Sequence, residues 1–538
     1  MGPLMFGGLI VFMLIGYPVA FSLAAVGLFF GFIGIEMGFF QISLLQALPD
    51  RVFGIISNDL LLSIPFFTFM GAVLERCGLA EDLLEGTGEL FGPVRGGLAY
   101  AVILVGALLG AITGTVAASV IAMGIISLPV MMRYGYDMRI ATGVIAASGT
   151  ITQLIPPSLV LVVLADQLGK SVGDMYAGAI GPSIAQVLLF CGFILLVSIF
   201  KPKWVPALPP QARTKIGWPL VRRILFGMVP SLALIFLVLG TILIGLATPT
   251  EGGAMGAVGA MALAAMHHKD FSRRARIALG AACVSALAIA AAYGLTQIKA
   301  IAGPATSFYA AAEQPLFVVF LVGLVLVLWE TVVIKELRRL IIQATESTMR
   351  INAMVIFILV GSTVFGLVFR GVNGDLWIEN MLLSLPGGQV GFLLVVNLFV
   401  FFLAFFLDYF EIAFIIIPLL APVAAKLGID LIWFGVLLGA NLQTSFMHPP
   451  FGFALFYLRG VAPKEVKSSD IYWGALPWVA LQLILVAMII FWPGMVTNWI
   501  DRTVPDAPPA IIEAPPLDTG GQPEDSAADI ERQFRQMK

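Results

Sequence analysis

The sequence predicts an all-α polytopic membrane protein built on an inverted internal repeat, each copy carrying a re-entrant helical hairpin and a discontinuous helix. Three observations predict it. The 538 residues are 59% hydrophobic and 12% charged with a mean hydropathy of +0.99, far from the composition of a soluble domain. A Pro-Pro pair interrupts an apolar segment twice, in "IAASGTITQLIPPSLVLVVLADQ" (145–167) and in "NLQTSFMHPPF" (441–451). Two further apolar stretches, 99–132 and 388–425, have polar centres and the wrong length for one span or for two.

Apolar runs recur at about 4–34, 60–74, 139–165, 178–200, 226–247, 252–266, 277–297, 316–334, 352–369, 431–458 and 473–495. Each is read as one crossing of a hydrocarbon core roughly 30 Å thick. The first has no cationic leader and no small-residue cleavage signal, so it reads as a retained span. Net charge is −2 and no basic stripe points to nucleic acid. Cys77, Cys191 and Cys283 are too dispersed for a disulfide or metal framework.

Lysine and arginine orient the chain, because cytoplasmic loops accumulate them. With the N-terminus inside, 21 of the 30 fall in inside loops, among them Arg76, Arg133, Lys201 and Lys335. Outside loops hold Arg51, Lys170, Lys299, Arg370 and Lys426, and eleven crossings put the C-terminus outside. The first hairpin, with "TGT" at its centre, then has both ends inside; the second, with "FLDYFEIAF", has both outside. Irregular backbone at that depth is tolerated only where protein or a wet cavity satisfies it.

An internal repeat explains the pairing. A shift of 293 residues brings Pro129 onto Pro422, Gly135 onto Gly428, Asp137 onto Asp430, Pro156 onto Pro449 and Pro157 onto Pro450 without a gap. Inverted repeats with discontinuous helices are the sequence pointer to a secondary transporter's binding site. The proline pairs remove amide hydrogens and free backbone carbonyls on their N-terminal side.

At these motifs the chain resembles the large membrane subunit of TRAP (tripartite ATP-independent periplasmic, DctM-like) transporters. The likeness runs through "IPFFTFMG" (64–71), "GGLAY" (96–100), "TGTVAAS" (113–119), "PVMMRYGYD" (129–137) and "SGTITQLIPPS" (148–158). It continues through "ATPTEGGA" (247–254), "PLLAPVAAKLGID" (418–430) and "NLQTSFMHPPFGFALF" (441–456), sparing only 277–334 and the tail. The resemblance implies an elevator-type symporter in the bacterial inner membrane, with no covalent cofactor and Na+ as coupling ion. It also implies a small DctQ-like membrane subunit and a periplasmic DctP-like protein that delivers an organic acid. Two departures stand out: the first tip reads Thr113-Gly114-Thr115-Val116 where Ser-Gly-Ser-Ser is usual, and Phe446-Met447-His448 precedes the second prolines where a threonine is common.

Carbonyls and hydroxyls are hard oxygen donors of the kind that bind sodium in broken transporter helices, and half-helix N-termini face anionic groups. One ion is expected among Thr113, Gly114, Thr115 and Ser119 with Ser148, Gly149, Thr150 and Thr152; a second, among Asp408, Asn441, Gln443, Thr444 and Ser445. The substrate carboxylate is expected between the tips, at Thr115, Ser119, Gln153, Asp408 and Asn441. The bland alternatives are specific. Hydroxyls in spans bond to the preceding turn. Gly106, Gly110 and Gly114 read as packing within the hairpin, His448 as a packing residue, and Glu251 as a helix cap.

The organisation expected is 1–98, scaffold and arm helices of the first repeat; 99–200, its transport elements; and 201–250, a basic cytoplasmic loop and linking span. There follow 251–387, scaffold and arms of the second repeat with a two-span insertion at 277–334; 388–498, its transport elements; and 499–538, a disordered Pro- and acid-rich tail. "LGKS" at 168–171 has Leu164 where a P-loop needs glycine, and no H-E-x-x-H or G-x-S-x-G occurs, so an ATPase or hydrolase is not indicated. The rival readings are a carrier of the same shape that needs no binding protein, and a membrane enzyme using Asp408 with His448.

Overall fold

The computed structural model of the chain describes residues 1–113, 115–209, 218–268, 271–282, 285, 304–405, 407–450 and 452–500, and every regular element among them is a helix. Gly114, Cys283 and the tail beyond Ile500 lie outside the described residues. Six of the described helices are long and apolar enough to cross a bilayer: Val19–Glu36, Val116–Arg133, Val172–Phe200, Lys335–Gly371, Tyr409–Lys426 and Ser468–Phe491. Counted as one span, the pair Ser43–Ile56 and Asp59–Arg76, bent by 48°, makes a seventh.

Of the eleven apolar runs, three are divided by chain breaks. Run 4–34 is two helices, Gly2–Ile15 and Val19–Glu36, parted where Gly16 takes φ 95° and Pro18 restarts the chain. That left-handed conformation is open to glycine at little steric cost. Runs 139–165 and 431–458 are likewise cut, as expected, into pieces shorter than a span. Of the insertion, a helix over 273–282 and Pro304–Val333 are described; a Cβ at Gly323 would lie 2.6 Å from that of Ala282, so the two pack closely.

Helix pairs elsewhere meet through small residues, as bilayer interiors favour. Gly361 lies against Ala20, where an added Cβ would come within 2.3 Å of the carbonyl oxygen, and Gly256 lies against Met70. Helix Pro249–His267 opens with a capping box: Thr248 Oγ1 accepts from the Glu251 amide at 3.2 Å while Glu251 Oε2 accepts from the Thr248 amide at 2.8 Å. Glu251 is thus the cap the sequence suggested. The hydrogen bonds from the Thr248 amide and then its hydroxyl hold the Glu251 carboxyl below its usual range. A lowered folded-state value stabilises above the unfolded one and is lost as pH falls through the folded one. Thr248→Ala is expected to cost about 1 kcal/mol. In thermal melts against pH, the difference between Glu251→Gln and the parent should shrink on acidification.

The offset of 293 is kept by the helices. The first hairpin joins Gly97–Thr113 to Val116–Arg133; the second joins Gly388–Leu403 to Tyr409–Lys426, the latter with a break at Ile416. Both second arms span 18 residues, and their N-caps, Thr115 and Asp408, are equivalent positions. Each hairpin leads through a left-handed glycine, Gly135 (φ 75°) or Gly428 (φ 72°), into an Asp-capped helix. Asp137 accepts from the Arg139 amide at 2.9 Å; Asp430 accepts from the Ile432 amide at 2.8 Å.

Candidate functional site

The first interrupted helix runs Met138–Thr150, tightens into a short 3₁₀ turn at Ile151–Gln153, breaks, and resumes at Leu159–Leu168. Its counterpart runs Leu431–Met447 and resumes at Phe453–Val461. The Pro156-Pro157 and Pro449-Pro450 peptide bonds are cis. Every residue of 140–150 and of 432–447 is buried, so these helices form the centre of the molecule and have no lipid-facing side over those stretches.

Glycines bring the first hairpin onto its interrupted helix. A Cβ at Gly106 would lie 2.6 Å from Ser148 Cβ; at Gly110, 2.9 Å from Thr152 Cα; at Gly149, 2.2 Å from a Val120 methyl. The expectation that Gly106 and Gly110 pack within the hairpin is corrected: Met123 of the opposite arm lies 3.0 Å from the Gly106 Cβ position, but the nearest contact of both glycines is the interrupted helix.

Of the oxygen donors gathered there, Thr150 follows the bland reading, its hydroxyl donating to Ala147 O at 2.9 Å. Ser148 Oγ, Thr152 Oγ1 and both polar atoms of Gln153 are buried without a hydrogen-bond partner. Such orphans are uncommon in native interiors. The carbonyls freed by the break are partly engaged, Gln153 O by Ser158 Oγ at 2.6 Å and Leu154 O by Ser183 Oγ at 3.1 Å. Ser119 is buried one turn into the second arm and Thr115 half-buried at its start, with no side-chain capping bond. Thr113 ends the first arm.

The second cluster is arranged differently. Asn441 Nδ2 donates to Asn397 O of the second hairpin at 2.7 Å, while Thr444 and Ser445 donate back to Asn441 O and Leu442 O at 2.6 and 2.7 Å. Asp408 sits in a capping box, accepting from the Glu411 amide at 2.9 Å while Glu411 Oε2 accepts from the Asp408 amide at 3.0 Å. Glu411 is therefore buried at the tip and does not face outward. His448 packs on Phe401 and Phe405 with centroids 5.4 and 4.6 Å apart, and Phe446 on Phe453 at 5.6 Å.

Two residues of this centre carry no motif. Gln186 Nε2 donates to Gln443 Oε1 at 2.5 Å, and Gln482 Nε2 donates to the same oxygen at 3.2 Å and to Thr150 Oγ1 at 3.1 Å. The helices that carry them begin at Val172 and Ser468, an offset of 296, and the glutamines are separated by the same 296. A pair of amides in mid-span at a shifted register is the sequence signal that could have found them. Their contacts are also exchanged between halves. Gln186 of the first half reaches Gln443 of the second, Gln482 of the second reaches Thr150 of the first, and Thr150 and Gln443 are equivalent. Gly474 against Arg139 and Gly178 against Ile432 repeat the exchange. Reciprocal contacts of this kind are the mark of a two-fold relation.

A helix pair and an interrupted helix that each occur twice, around a buried polar centre, define the class as a polytopic helical membrane protein with an internal repeat. Residues 6–298 and 283–495 match the family model described as "Tripartite ATP-independent periplasmic transporter, DctM component". The chain belongs to that family. It is 27% identical to the C4-dicarboxylate TRAP transporter large permease protein DctM of Vibrio cholerae, over 91% of this chain and 94% of that one. It is 24% identical to the sialic acid TRAP transporter large permease protein SiaM of the same organism, over 89% and 93%. Against the isethionate TRAP transporter permease protein DctMQ of Oleidesulfovibrio alaskensis it is 25% identical, over 92% of this chain and 65% of the relative.

Proposed function

We propose that this chain is the permease of a sodium-coupled symporter that takes up an organic anion, most simply a carboxylate, handed over by a periplasmic binding protein. The observation that carries this reading is the set of orphaned buried donors at Ser148, Thr152 and Gln153, pressed against the first hairpin by Gly106, Gly110 and Gly149. Hard, uncharged oxygens in a dry site suit an alkali cation, and the ion's charge would offset that of the substrate beside it. Ser148 and Thr152 would hold the first ion with Thr113, Gly114, Thr115 and Ser119. In the second cluster, Asp408 supplies formal charge. There Gln443 would contribute its backbone carbonyl, since its side-chain oxygen already accepts two amide hydrogens.

Family membership and the relatives' names support a carboxylate or sulfonate substrate and a second membrane component, DctQ-like, which the longer DctMQ relative carries in its name. Transport would proceed by an elevator movement of the two hairpins with the central helices. An acid/base pair of Asp408 and His448 is disfavoured, because the carboxylate is engaged in helix capping and the imidazole is packed against two phenylalanines. The test is uptake into liposomes holding this chain, the small subunit and an external binding protein. An imposed inward sodium gradient should drive accumulation; equal uptake with potassium, or full-rate uptake by this chain alone, would refute the reading.

A further inference from the structure

We infer that Gln186 and Gln482 are positioning residues that make the two interrupted helices one cooperative unit: Gln482 bridges them, and Gln186 fixes the Gln443 side-chain oxygen that serves as the hub. All three glutamines are buried, at 0%, 1% and 0% exposure. The hub oxygen accepts from Gln186 at 2.5 Å and from Gln482 at 3.2 Å, which fills both of its lone pairs and fixes the rotation of the amide. Gln482 spends its second amide hydrogen on Thr150, at 3.1 Å, in the last turn before the first break. The path Gln443–Gln482–Thr150 therefore joins the second interrupted helix to the first through side chains alone, and Gln186, on Val172–Phe200, holds the hub. The opposite ends of the amides, Gln186 Oε1, Gln482 Oε1 and Gln443 Nε2, are left without partners.

Leaving three buried polar atoms unmatched is costly, and an apolar packing of equal volume would avoid that cost. What the network supplies in exchange is rotational register. Turning either interrupted helix about its axis pulls on a Gln482 side chain that the other helix also holds. Occupancy of one cluster, by holding Thr150's turn, then favours the occupied arrangement of the other, and reciprocity requires the converse. This deepens the functional reading above, and rests on it only for the ions involved.

The experiment uses the full chain with its partner subunits in proteoliposomes, carrying Gln186→Met, Gln482→Met, or both. Methionine keeps the volume and removes the amide. Gln186 makes no hydrogen bond to the first interrupted helix in the network above, yet hydrogen exchange over 148–158 is expected to quicken about five-fold in Gln186→Met, on the scale of one lost buried bond. Gln482→Met should do the same, and the double variant should add little, because both act through one oxygen. The sodium Hill coefficient should fall toward one in each single variant while maximal uptake is retained. Exchange confined to 443–452 in Gln186→Met, or strictly additive effects, would overturn the inference. Should the parent prove indifferent to sodium, the symport reading fails, and the exchange result alone decides the coupling.

Discussion

Alanine at Gly143 is expected to destabilise the folded chain by about 1–3 kcal/mol, the range for overpacking where nothing can yield. The first interrupted helix crosses Ser468–Phe491 there at backbone contact. A Cβ on Gly143 would lie 2.2 Å from the Gly474 carbonyl oxygen and 2.6 Å from Trp478 Nε1; one on Gly474 would lie 2.3 Å from Arg139 O and 2.8 Å from Thr142 Oγ1. Flexible side chains can step aside, but these neighbours are mainly backbone. Thr142 Oγ1, moreover, is bonded across the crossing to Asp470 O at 3.2 Å. Alanine at Gly192, whose Cβ position is open, is the control and should be neutral or stabilising by up to about 1 kcal/mol. Thermal melts of the purified chain in nanodiscs compare the two. Equal melting temperatures for Gly143→Ala and the parent would show that the helices do not cross at this glycine pair.

Asp408 should separate two roles when replaced in two ways. Asparagine caps a helix about as well as aspartate, so Asp408→Asn should leave the tip's stability near that of the parent while removing the negative charge. Asp408→Ala should remove both, losing about 1 kcal/mol at the cap. If the carboxylate serves the second ion, both variants raise the half-saturating sodium concentration about ten-fold or more, as expected for one lost charge-assisted contact. Sodium activation curves and hydrogen exchange over 404–416 read the two effects separately. An asparagine variant with parental sodium affinity would reduce Asp408 to a capping residue. Thr115 stands at the equivalent position without a capping bond. Its alanine variant should therefore change ion affinity with little change in stability.

Much of this was legible in the residues because proline, glycine and capping aspartate act locally. Pro156-Pro157 and Pro449-Pro450 each fall in a helix break, and Asp137 and Asp430 cap in the same register as their sequence offset. The break at Gly16 leaves no mark on hydropathy, because the apolar run continues through it and a single left-handed residue does not change burial. The glycines of the first hairpin recur along one helix, yet their nearest partners lie on another, as with Gly106 and Ser148. Gln186 and Gln482 are hidden from a single fixed shift by a further feature. The loop before each of their helices differs in length by three residues between the halves, so a comparison at one fixed shift slides past them.

The exchanged contacts set a rule for how the two halves can be recombined. Gly474 must meet Arg139 and Thr142, Gly178 must meet Ile432, and each glutamine must find an acceptor on the half it does not belong to. A chimaera taking residues after 388 from another family member would inherit only one side of each pair. Successful hybrids should be those in which both sides travel together, so the smallest interchangeable part of this protein is the matched pair of halves.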